Sequence, residues 1–353
     1  MIDLEGIWAE YDLDRLQKGI HALFPAYDLE LSALLGQVLT GDILGAMAQF
    51  LQGLISEMAL SAEGMKNVFV WLVVLGMVAA LMTHFIEVFD KHQIADLGFY
   101  FIYLLTTTIL LKCFAQVLHT AADTIENIIV FVQLLVPTYM ISVGLAAGTT
   151  TVGAYYQLLL FIIYGVQEIL LGVVLPFTYS LCLLSIVNGI WVEERLQQVI
   201  ALFEKCISWI LKAALGVVTG VSIFQAVITP VIDSVKKSSL QKAISAIPGI
   251  GNAADGVVEL VAGSAVVIKN SIGVILLILL LVLCAAPIFQ IFSVAFILKG
   301  AAAFMGIVGN KRITSCVDRT GDICMLLLRT TATAILLFMI TLAVVATATN
   351  RGF

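Results

Sequence analysis

The sequence predicts an all-α fold: a polytopic transmembrane helical bundle of about eight spans, preceded by amphipathic N-terminal helices. Three observations predict it. Hydrophobic residues make up 61% of the 353-residue chain and charged ones 12%, against roughly 45–50% and about 25% in soluble domains. The stretch Asn270 to Leu298 holds no charged side chain, is apolar throughout Ile275 to Leu283, and is flanked by Lys269 and Lys299. A hydrocarbon core about 30 Å thick needs roughly 20 apolar helical residues to cross it, so this stretch is long enough to span. Comparable charge-free gaps recur along the chain from Asn67 onward.

Residues 1–66 form a distinct region. They carry ten acidic and three basic side chains, a net charge of −7, while the remainder carries +1. Ile43, Met47, Phe50, Leu51, Leu54, Ile55 and Met58 recur every three or four residues and so share one helical face. Leu31, Leu34, Leu35 and Val38 make a shorter stripe. Gly41-Asp42 separates the two, with Asp42 placed to cap the second helix, and Pro25 ends an earlier one. Such helices pack together, lie on the bilayer or bind a partner. Met1 to Glu5 lacks the basic and apolar parts of a secretory signal. Insertion is therefore expected through the first internal span, or after removal of an upstream signal.

Residues 67–353 make the multi-pass domain. Its spans are expected near 67–86, 97–118, 128–147, 154–171, 173–191, 208–231, 270–298 and 327–349, with a Gly- and Thr-rich turn at 144–153. Glu193 to Ile207 places Leu196, Val199, Ile200, Phe203 and Ile207 on one face, a pattern suited to a helix in the membrane interface. Residues 233–269 read as an amphipathic, Gly-rich connection, and Lys311 to Asp322 as a second polar one. Gly300 to Gly309 is too short to span and reads as a re-entrant turn or the end of a long helix. With the ends of this domain outward, Lys91, Arg195, Lys205, Lys299, Lys311, Arg312 and Arg319 all fall on the inside, a slight basic-inside bias.

Lys112 and Glu168 are the charges that best fit membrane depth. Charges there are costly unless they pair or meet water, so they suggest an intramembrane polar pathway or an ion pair. Against this stand a snorkelling Lys112 and a Glu168 at a helix end. Gly144…Gly148 and Gly216…Gly220 are small-xxx-small patterns expected to form packing seams within the bundle, with contact between copies as the other use. Pro137, Pro176, Pro230 and Pro287 are expected to kink or end their spans.

Catalytic and cofactor signals are weak. Pro248 to Gly256 is Gly-rich, but its spacing is not that of a dinucleotide loop and no GKS or GKT occurs. The chain holds no HExxH and no GxSxG. Its four histidines lack ligand spacing, and its six cysteines, with no CxxC, read as small buried hydrophobes. No enzyme activity, cofactor or metal is expected. Nothing resembles a basic patch for nucleic acid.

The run Ala243 to Gly251, with Pro248, Gly249 and Gly251, is followed by Ala265 to Gly273, with Lys269, Asn270 and Gly273, and then by the long span containing Pro287. This pattern resembles the stage III sporulation protein AE family of endospore-forming bacteria. The likeness continues through Lys311-Arg312-Ile313 and back to Gly41-Asp42 and Gly98-Phe99. Family members usually carry an N-terminal signal, and this sequence departs from them there. The resemblance implies a membrane subunit of a channel or secretion-like complex linking mother cell and forespore, needed for late forespore development. It implies residence in the mother-cell membrane around the engulfed forespore. Its implied partners are the other membrane proteins of the stage III A operon, including ring-forming subunits and a secretion-type ATPase, together with a forespore channel partner. It supplies no catalytic residues. The alternative reading is a stand-alone secondary transporter of a small molecule, which would want a site at a broken helix. A membrane enzyme is the third, and lacks paired carboxylates or histidines near the interface.

Overall fold

A computed structural model describes residues 18, 66–82, 92–147, 157, 160–190, 195–244, 251–308 and 311–348. All the secondary structure among them is helical. The helices are α1 (Lys66–Met82), α2 (His92–Ala147), α3 (Leu160–Ile190), α4 (Gln197–Ile244), α5 (Gly251–Val308) and α6 (Lys311–Ala348).

Four stretches are long and apolar enough to cross a membrane: Leu97–Leu134, Leu160–Ile190, Leu277–Ile307 and Lys311–Ala343. The bundle is built inside out relative to a soluble protein. Phe161, Trp209 and Ile307 are more than 70% exposed, while Thr106, Thr178, Thr320, Thr330 and Thr331 are fully buried. Hydrocarbon is the solvent that suits such an exterior.

The contacts fix the directions. Tyr103 meets Ile186 and Phe114 stacks near Tyr179, so α2 and α3 are antiparallel. Phe177 packs on Phe203, and Lys299 pairs with Asp318 and Asp322, which makes α3–α4 and α5–α6 antiparallel too. Hence α2, α4 and α6 run one way and α3 and α5 the other. One end of the bundle gathers the starts of α2, α4 and α6 with the ends of α3 and α5. Helix α6 is the hub, packed against α5, α2, α3 and α4. It can be buried because its threonines satisfy themselves: Thr320, Thr330, Thr331 and Thr341 each donate to the carbonyl four residues back. Helix α1 lies against this assembly through Phe69 on Phe304.

Several expected boundaries are corrected. The spans placed at 97–118 and 128–147 lie on one helix of 56 residues. Residues 119–127 contain no Gly or Pro, so nothing interrupts the backbone ladder, and charge alone does not end a helix. Those placed at 154–171 and 173–191 likewise share α3, which passes through a π segment, Glu168–Val174, rather than a break. Pro176 explains the segment. A proline clashes with the carbonyl four residues before it, here Gly172 inside the π turn, and the widened turn accommodates it. Pro137, Pro230 and Pro287 likewise lie within α2, α4 and α5, which continue past them. Lys311 to Asp322 is the opening of α6 rather than a connection. Of the two uses expected for Gly300 to Gly309, the end of a long helix is the one observed, with α5 running to Val308. The expected surface helix at 193–207 in fact joins the core: Ile200 and Ile207 are buried and Phe203 packs against them, with Val199 left outside. The acidic N-terminal region lies outside the described residues, Lys18 and Lys66 excepted.

Candidate functional site

Charge collects at the end of the bundle where α2, α4 and α6 begin. Lys299, on α5, places its Nζ 2.7 Å from Asp318 and 2.7 Å from Asp322, one turn apart on α6. Gly321 makes room for the lysine stem, since a β-carbon there would stand 3.2 Å from Lys299 Cγ. The Arg312 guanidinium lies 5.0 Å above the Phe99 ring, a cation–π contact tying α6 to α2. Lys311 and Arg319 stand on the same opening stretch of α6, and Arg195 stands just before α4.

Just inside this end three helices meet at one hydroxyl. Tyr103 Oη donates to the Ile186 carbonyl at 2.5 Å, and Cys316 Sγ lies 3.4 Å away. The phenol has one proton, so the thiol is the group left to donate back. Asn188, also buried, accepts from the Leu196 N–H at 2.8 Å and fixes the entry to α4. Ser185 Oγ is buried beside this layer without a hydrogen-bond partner among the described residues. Cys113, Cys182, Cys284, Cys316 and Cys324 are buried free thiols, and Cys206 is an exposed one. Among the described residues no group of His, Cys, Asp and Glu is placed to hold a metal.

Lys112 and Glu168 both lie on the exterior, on α2 and α3, and no ion pair joins them among the described residues. The Glu168 carboxylate folds back along its own helix, 3.3 Å from where a β-carbon at Gly172 would sit. Gly216 and Gly220 have no described atom within 4 Å of a built β-carbon, so they form no seam with the described helices of this chain. Gly144 is in the last turns of α2, and Gly148 lies outside the described residues. Pro248 and Gly249 also lie outside them, while Gly251, Lys269, Asn270 and Gly273 fall in the first part of α5.

One feature of α2 escaped the reading of single charges. Lys112, His119, Glu126 and Gln133 recur every seven residues and are all exposed, with Gln116 and Asp123 beside them. His119 Nδ1 and Asp123 Oδ2 are 2.5 Å apart. The seven-residue recurrence was present in the sequence, but it becomes a face only when 97–134 is one helix.

A curated relative, stage III sporulation protein AE of Bacillus subtilis (strain 168), is 22% identical over 264 residues, which cover 74% of this chain and 66% of that protein. The chain thus spans about two thirds of the length of the curated relative it matches. No solved structure matches it. The family profile of stage III sporulation protein AE matches residues 29–349, and with nearly the whole chain covered, this membrane protein belongs to that sporulation family.

Proposed function

We propose that the chain is the membrane-embedded subunit of a channel or secretion-like complex that links mother cell and forespore and supports late forespore development. Its bundle anchors the complex in the mother-cell membrane around the forespore. Membership of the sporulation family supplies the setting. The observation that carries the reading is helix length. Helices α2, α4 and α5 hold 56, 48 and 58 residues. At 1.5 Å per residue they measure about 84, 72 and 87 Å, against a hydrocarbon core of about 30 Å. By the antiparallel order, the ends of α2 and α4 and the start of α5 lie toward the same side, opposite the basic end. The basic end faces the mother-cell cytoplasm by the basic-inside rule. The helical extensions then stand on the far side, where the ring-forming subunits and the forespore partner meet them. The secretion-type ATPase works from the cytoplasmic side.

A stand-alone transporter remains the rival, and the π segment of α3 is what favours it, since irregular helices often mark substrate sites. That segment stays hydrogen-bonded, with the Leu175 N–H donating to the Leu170 carbonyl. It does not open backbone groups for a ligand, and the subunit reading is kept. Purification of the tagged chain from sporulating cells in mild detergent tests it. Stoichiometric co-purification of the operon's membrane proteins is the expected result. A chain that purifies alone and moves a small solute across liposomes by itself would establish the rival instead.

A further inference from the structure

The outward stripe of α2 changes character along its length. At Leu97, Phe101, Leu104 and Leu105 it is apolar and exposed. From there on its exposed positions include Lys112, Gln116, His119, Asp123 and Glu126. Depth follows from α3. Tyr103 is level with Ile186 and Phe114 with Tyr179, so the antiparallel pairing sets Lys112 and His119 beside Leu181 to Val174. Helix α3 carries no charge from Ile169 to Ile190, a length sufficient to cross the hydrocarbon core. A bilayer spanned by α3 therefore has Lys112 and His119 inside it.

Lipid and a second copy are poor surroundings for that face. Lipid is disfavoured: a charge near the bilayer centre costs several kcal/mol, and though the long stem of Lys112 can snorkel, the short side chain of His119 cannot. The His119–Asp123 pair is 77% and 52% exposed, so no described residue shields it. A dry symmetric contact with the same face of a second copy is disfavoured too. Copies inserted in the same sense would set Lys112 against Lys112 and Glu126 against Glu126, and like charges repel. Water suits charges of both signs at this depth, and a cysteine covered by a partner subunit instead would react slowly.

We propose that the outward face of α2 from Lys112 to His119 borders a water-filled path at membrane depth, with Asp123 and Glu126 at its mouth. The proposal rests on the channel-subunit reading and names the part of the chain that would line the conduit. Rings of charged side chains are a general device for selecting ions and solutes in pores. Here the basic part of the stripe lies nearer the cytoplasmic end and the acidic part nearer the extensions.

The test uses the full-length chain in membranes of sporulating cells, with Cys206→Ser removing the exposed native thiol. Single cysteines are placed at Thr108 and Gln116 on the stripe, and at Val173 and Leu183 on α3 as lipid-facing controls of similar depth. A charged, membrane-impermeant methanethiosulfonate reagent reacts with thiolates, which form in water and not in hydrocarbon. Modification of Gln116→Cys and Thr108→Cys at least about tenfold faster than of the controls is expected. Stripe cysteines that react as slowly as the controls would overturn the proposal. So would slow reaction at Gln116→Cys together with oxidative cross-linking between copies, which would mark a dry contact. Co-purification reads the assembly and thiol reaction reads the face, so either idea can fail without the other.

Discussion

Gly189 leaves open the space that the Tyr103 hydroxyl occupies: a β-carbon built at position 189 would collide with that oxygen. The glycine on α3 and the tyrosine on α2 are therefore one structural unit, and through the Ile186 carbonyl and the Cys316 thiol they hold α6 as well. Gly189→Ala is expected to displace the phenol and to destabilise the bundle by about 1–3 kcal/mol. Tyr103→Phe, which removes only the hydroxyl, should cost about 1 kcal/mol. Thermal unfolding in detergent, followed by loss of the monodisperse species, orders these variants against the parent. A Gly189→Ala protein as stable as the parent would show that the three helices do not depend on this junction.

Lys299 sits between two carboxylates on the next helix. Lys299→Met removes the cation that bridges Asp318 and Asp322. The groups are partly exposed, so the loss is expected to be modest, about 1 kcal/mol. Combining it with Asp318→Asn and Asp322→Asn should restore most of it, because the repulsion goes with the charges. A triple variant less stable than Lys299→Met would refute the pairing as the cause.

Gly216 and Gly220 face open space, and the structure assigns them no role in packing the described helices of this chain. Replacing either by Ala removes a poor helix former from a helix interior, worth up to about 1 kcal/mol in favour of the variant. Stability of the isolated chain should therefore stay level or rise. A marked loss of thermal stability in Gly216→Ala would restore the seam that the sequence pattern suggested.

Orientation is open to direct measurement. In cells carrying Cys206→Ser, a cysteine replacing Lys311 is expected to be shielded from an impermeant reagent applied outside the mother-cell cytoplasm. One replacing Lys242, on the extension of α4, is expected to react once that space is opened. The reverse pattern would invert the bundle.

The all-helical membrane class was legible from composition and charge-free gaps alone, because hydrocarbon imposes length and polarity on every span. Where spans begin and end was less legible. Asp123 and Glu126 looked like a connection, yet no Gly or Pro accompanies them, and the α2 ladder runs through. Pro176 was expected to kink or end its span, and a π turn carries α3 past it. Lys112 was singled out as an isolated charge; its companions at 116, 119 and 123 became visible once the helix put them on one side.

By itself the sequence determined the solvent, the secondary structure and the family, since each is written in local composition or in a contiguous motif. Tertiary structure decided which residues meet. It brought Tyr103, Ile186, Gly189 and Cys316 together from three helices. It drew Lys299 to Asp318 and Asp322 and left the polar face of α2 outward. These outcomes depend on the relative rotation and register of packed helices, and a one-residue change of register turns a side chain by about 100° around its axis. That rotation is set by the summed contacts of the whole bundle, and no single stretch of sequence encodes it.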